Sequence, residues 1–123
     1  MSSTQSVIHG IIDIGSNAIR MQIVAVENGK AKQILKRRAE VRLGSWVFEH
    51  GMISDQLQYA VVDALRTFQV DFASRGVHQI TAIATSATRE ATNHSDMVAL
   101  IQQELGIELA VISGQAEADL LAT

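Results

Sequence analysis

At 123 residues, 47% hydrophobic and only 19% charged, the chain has apolar material for one packed domain, which excludes an intrinsically disordered protein and leaves too little length for two full domains. A net charge of −3 excludes a global attraction to nucleic acid or another polyanion, so any anion site must be local. The absence of cysteine removes disulfides and thiolate metal sites and agrees with a cytoplasmic setting, and no apolar run reaches the length of a membrane span.

Residues 1–6 are polar, carry no signal-peptide pattern and read as a disordered N-terminus. Val7 to Ile14 is rich in β-branched residues and apolar on both faces, which predicts a buried central strand. Gly15-Ser16-Asn17 is a tight turn, and Ala18 to Glu27 reads as a second strand. Asn28-Gly29 is a strong hairpin signal because both residues tolerate positive φ. A third, more polar strand is expected over about Lys32 to Leu43, its Lys36-Arg37-Arg38 cluster suiting an exposed sheet edge. Trp46, Val47 and Phe48 then fall in a loop.

After Gly51 the period changes. Ser54 suits an N-cap, Leu57, Val61, Ala64, Leu65, Phe68 and Phe72 share one helical face, and Gly76 stops the helix. Ile80 to Ala84 reads as a short buried strand. Asn93, with Asp96 three residues on, is expected to cap a helix carrying Val98, Ile101 and Leu105 and ending at Gly106. Leu109 to Ile112 is another strand, and Ser113-Gly114 leads into a helix near Gln115. The order β-β-β-α-β-α-β-(α) predicts a mixed five-stranded sheet with flanking helices. The chain stops at Thr123, within about two turns of that last helix's start, so a truncated half-domain is expected.

Three segments carry candidate chemistry. Asp13-Ile14-Gly15-Ser16-Asn17 at a strand end offers backbone N–H groups around a glycine, together with hydroxyl and amide donors from Ser16 and Asn17. That suits a phosphate; an ordinary hairpin turn shaped by Asp and Asn uses the same residues. A carboxylate beside a phosphate implies an intervening cation, so Asp13 points to Mg²⁺ held through water. Arg89 follows a strand end, where open α/β sheets contact ligands, and its guanidinium can hold two phosphate oxygens; a surface ion pair with Glu90 or Asp96 is the competing role. Ser86 and Thr88 are candidates for orienting it or for capping the loop. Glu117, in the first turn of the last predicted helix, can orient and deprotonate water, or can simply complement the helix dipole.

Residues 12–20, 84–93 and 112–118 together resemble three successive motifs of the Ppx/GppA family of exopolyphosphatases and guanosine pentaphosphate phosphohydrolases, with Arg42-Leu43-Gly44 matching a further segment. The resemblance implies that residues 7–123 are an N-terminal, ribonuclease-H-like (actin-like ATPase) half-domain. It also implies Mg²⁺-dependent hydrolysis of polyphosphate or guanosine pentaphosphate. By this likeness Gly15, Ser16, Asn17 and Arg89 would hold the terminal phosphoryl group, Asp13 would bind the metal, and Glu117, with Arg89 as the other catalytic residue, would prepare the water. The family motif resembles Ser-Gly-X-Glu-Glu-Ala-Arg-Leu; here Ala116 replaces its first glutamate and Asp119 its arginine. The family's second phosphate loop, Asp-Xaa-Gly-Gly-Gly-Ser, has no counterpart in the chain. The expected partners are therefore the substrate and a second half-domain, with a homodimer left open and neither nucleic acid nor membrane expected, and the fragment alone is expected to be inactive. A phosphate- or nucleotide-sensing module and an acetokinase- or sugar-kinase-type phosphotransferase stand as alternatives on the same fold.

The remaining polar residues give weaker signals. His9, His50, His78 and His94 lack metal-ligand spacing and read as surface or capping residues, and Met21, Met52 and Met97 read as core filler. Trp46 is expected to pack on the first long helix, with lining of a substrate entrance as the alternative.

Overall fold

The computed structural model of the chain describes residues 7–77 and 79–113. Val7–Ile14 forms β1, followed by Ile19–Glu27 (β2), Lys30–Ala39 (β3), Gln79–Ala84 (β4) and Leu109–Val111 (β5). The five strands lie in the order β3-β2-β1-β4-β5, which puts β1 in the middle and β3 at an edge, as predicted. β2 is antiparallel to both β1 and β3, whereas β4 is parallel to both β1 and β5. Asn28 and Gly29 turn the β2–β3 hairpin with φ of 53° and 77°, the positive values their side chains allow.

Alternation along the strands decides the core. Ile12, Ile14, Ile19, Met21 and Ile23 are all within 1% of complete burial. They meet two helices, α2 (Asp55–Ser74) through Val61, Leu65, Phe68 and Phe72, and α4 (His94–Leu105) through Met97 and Ile101. Ser54 caps α2 as expected, its hydroxyl accepting from the Leu57 N–H at 3.2 Å. The other face of the sheet bears no helix among the described residues: Ile11, Asp13 and Gln22 are half-buried and Arg20 is exposed. β1 is thus central but fully covered on one side only, which corrects the expectation of burial on both faces. β4 departs too: Ala82 and Ala84 are buried, Ile83 between them is only half-buried, and Ile80, near the start of the strand, is 39% exposed.

Three further local expectations are corrected. The third strand ends at Ala39, and Leu43–His50 is a helix, α1, so Trp46, Val47 and Phe48 are helical rather than in a loop. α1 has no side-chain cap and no acid in its first turn. Tertiary contact supports it instead: Leu43 is fully buried and Val47 nearly so. Ser86–Glu90 forms a short helix, α3, packed against α1. Asn93 does precede α4, but its side chain makes no cap bond. Its carbonyl accepts from the Ile53 N–H and its amide donates to the Ile53 carbonyl, both at 2.8 Å, tying the α1–α2 connection to α4.

Met21 and Met97 are core residues as expected. His94 Nδ1 lies 3.0 Å from the Ala91 carbonyl at the start of α4, and His50 stacks on Trp46 with ring centroids 4.0 Å apart. The expected disordered N-terminus and the helix near Gln115 lie outside the described residues, as does His78. No helix among the described residues is long and apolar enough to cross a membrane.

Candidate active site

The turn after β1 is closed by the Gly15 N–H, which donates to the Ala18 carbonyl at 3.0 Å. That amide is therefore spent inside the turn. The N–H groups of Ser16 and Asn17 join no backbone hydrogen bond among the described residues, and Asn17 is exposed. Their amides and side chains, not the glycine N–H, are the donors the turn can offer an anion.

Two neighbouring elements brace this turn. Ser16 Oγ lies 2.8 Å from Ser86 Oγ at the start of α3, one hydroxyl donating to the other. The Gly44 N–H in the first turn of α1 donates to the Ser16 carbonyl at 2.8 Å. A Cβ on Gly44 would stand 3.0 Å from Ser16 Cβ and 3.3 Å from its carbonyl oxygen, so a glycine is what lets α1 come this close. Sequence reasoning noted Arg42-Leu43-Gly44 without giving it a task. The available signal was a glycine next to Leu43 and Val47, two apolar residues one helical turn apart.

The carboxyl ends of three strands meet beside this turn. The Thr85 N–H donates to the Ile14 carbonyl at 3.2 Å, and the Ile112 N–H to the Ala84 carbonyl at 3.0 Å. Arg89, on α3, sends Nη1 to the Ile112 carbonyl at 3.0 Å, while its Nε stands 3.7 Å from Glu90 Oε1. The guanidinium is thus held at the end of the sheet that carries the Gly15-Ser16-Asn17 turn, with 28% of the side chain exposed. Ser86 joins the turn directly. Thr88 does not help to orient Arg89, because its hydroxyl is buried and has no hydrogen-bond partner among the described residues.

Asp13 sits between two core isoleucines, so strand alternation sends its carboxylate to the open face. Its Oδ1 is buried, and its neighbours in register are Arg20 on β2 and Ile83 on β4. Among the described residues no group of three or more His, Asp or Glu could hold a metal. Glu117 lies outside the described residues. Asp13, Gly15, Ser16, Asn17 and Arg89 thus gather at one end of the sheet, β1 and β4 supplying the frame. Trp46 does not join them; 37% exposed and stacked on His50, it lines a hollow with Ser54, Leu57 and Ala60 at the start of α2.

The Ppx/GppA phosphatase family model matches residues 22–123. A family member from Aquifex aeolicus is 27% identical to this chain, with a TM-score of 0.86 over 92% of this chain and 37% of its own. An exopolyphosphatase from Cytophaga hutchinsonii is 28% identical, with a TM-score of 0.87 over 92% and 36%. An exopolyphosphatase-like protein is 32% identical, with a TM-score of 0.86 over 94% and 35%. The fold is the ribonuclease-H-like, actin-like one expected from the sequence, and the chain spans 35 to 37% of the length of these structures.

Proposed function

The chain belongs to the Ppx/GppA phosphatase family, and from that premise we propose that it forms one wall of a cytoplasmic phosphoanhydride hydrolase acting on inorganic polyphosphate or guanosine pentaphosphate. The observation that carries the proposal is that the Ser16-Asn17 turn, braced through Ser86, and the Arg89 guanidinium, bonded to the Ile112 carbonyl, lie at the same carboxyl end of β1, β4 and β5. Hydroxyl, amide and guanidinium donors at one edge suit a tetrahedral oxyanion, and a guanidinium stabilises the charge that develops on a transferring phosphoryl group.

Ser16, Asn17 and Arg89 hold the terminal phosphoryl group, and Gly15 shapes the turn. Water forms the new P–O bond as the bridging P–O bond breaks, leaving inorganic phosphate and a substrate shorter by one phosphoryl group. Glu117 takes the proton from the attacking water, a role assigned by its place in the motif. Asp13, whose carboxylate lies on the open face with a buried Oδ1, would hold Mg²⁺ through water, and the ion would supply positive charge against the substrate's phosphates. The other wall belongs to the second half-domain.

Phosphate release by the full-length protein from either substrate is expected to fall about 100- to 10,000-fold in Glu117→Gln. The 123-residue chain alone is expected to turn over neither substrate. Steady hydrolysis by that chain, abolished by Glu117→Gln, would overturn the two-walled site. Unchanged release by full-length Glu117→Gln would instead favour a phosphate-binding module.

A further inference from the structure

The turn after β1 and the first residue of α3 share a hydrogen bond whose direction is a chemical choice. Ser16 Oγ and Ser86 Oγ stand 2.8 Å apart, and among the described residues neither hydroxyl joins another hydrogen bond. A serine hydroxyl has one proton to give and two lone pairs to receive with. Two hydroxyls bonded to each other therefore keep one proton between them for a ligand. If Ser16 donates to Ser86, it turns only lone pairs outward, and these repel an anion. If Ser86 donates to Ser16, the Ser16 proton is free for an oxyanion.

The surroundings of Ser16 leave its side chain as the part still to be fixed. Its carbonyl accepts from the Gly44 N–H at 2.8 Å, and a Cβ on Gly44 would stand 3.0 Å from its own Cβ. α1 thus holds the backbone of Ser16, while χ1 and the hydroxyl proton keep their rotational freedom. A serine χ1 has three staggered wells, and the bond to Ser86 holds one of them. Selecting one well of three contributes about threefold to ligand affinity, and polarisation of one hydroxyl by the other adds to it. Ser16 is half-buried and Ser86 exposed, so water competes for the pair and the effect stays near tenfold at most.

We infer that Ser86 is a positioning residue: its hydroxyl donates to Ser16 Oγ, fixes the Ser16 rotamer and so presents the Ser16 proton to the terminal phosphoryl group, without touching that group itself. This rests on the phosphate reading of the turn. Thr88, two residues along the same short helix, supplies the contrast. Its hydroxyl is buried and has no hydrogen-bond partner among the described residues, so it has no route to the turn.

The test is calorimetric binding of inorganic phosphate to the folded full-length protein and its variants, with Tm measured beside it. S86A should weaken binding about three- to tenfold and, as a change at an exposed position, leave Tm within about 2 °C. S86T returns the hydroxyl and should restore affinity to within about twofold of the parent. S16A should cost about tenfold or more. S16A/S86A should lose less than about twofold beyond S16A, because Ser86 acts only through Ser16. T88V should change affinity less than about twofold. Parent-like affinity in S86A, or no recovery in S86T, overturns the inference. So do losses that add in S16A/S86A, which would make Ser86 a ligand of the anion in its own right. A T88V loss equal to that of S86A would assign the effect to the packing of α3 and overturn it too. The turn itself is judged separately by S16A: unchanged affinity there sinks the phosphate reading, whereas a loss in S16A with none in S86A removes the inference and leaves that reading standing.

Discussion

The two faces of the sheet are built from alternate residues of the same strands and do different work. On one face Ile12, Ile14, Ile19, Met21 and Ile23 meet α2 and α4 at nearly complete burial. On the other, Asp13, Arg20 and Gln22 are interleaved with them one residue apart, and the exposed or half-buried surface is charged. A slip of one residue would exchange the two sets, so the apolar face holds the polar face in register. Strand alternation therefore lets a stability requirement place a carboxylate and a guanidinium side by side.

The sharpest way to break this contrast is on the packed face. Ile12→Ala removes a fully buried side chain from the central strand and is expected to cost about 2–5 kcal/mol, measured by denaturant unfolding. A cost below about 1 kcal/mol would mean that α2 and α4 do not close tightly on β1. An intermediate effect is expected where α1 meets the turn. Gly44→Ala brings a methyl group to 3.0 Å from Ser16 Cβ, and about 1–3 kcal/mol of overpacking should result. An unchanged Tm would mean that α1 yields without disturbing Ser16. The smallest effect belongs to the open face. Arg20→Gln relieves its like-charge pairing with Arg38 in solvent, and stability should stay within about 0.5 kcal/mol of the parent. A large loss there would reveal a structural task for Arg20 and blur the division between the faces.

Several elements were legible because they depend on neighbouring residues alone. The Asn28-Gly29 hairpin, the Ser54 cap and the apolar stripe of α2 need only local dihedral preferences and periodicity, and all three are present. The central place of β1 followed from its apolar run, and the edge place of β3 from its cations. The readings that failed belong to residues whose partners are distant in sequence. α1 lacks local start signals and exists through burial of Leu43 and Val47. Asn93 was assigned to its own helix, but a pair of hydrogen bonds to Ile53, forty residues away, takes its side chain.

The sequence by itself determined the family motifs and the chemistry they bring together: a turn with hydroxyl and amide donors, a carboxylate before it, and an arginine after a later strand. These are properties of residue type and spacing, and the match to the Ppx/GppA family agrees with them. Only the tertiary structure decided that the Gly15 amide is consumed within the turn, that Ser86 and Gly44 brace Ser16, and that Asp13, Arg20 and Arg38 fall in one row. Each of these depends on strand register or on how closely two segments approach. Register and approach are fixed by burying the isoleucines of one face, so the polar neighbours acquire their positions from contacts in which they take no part.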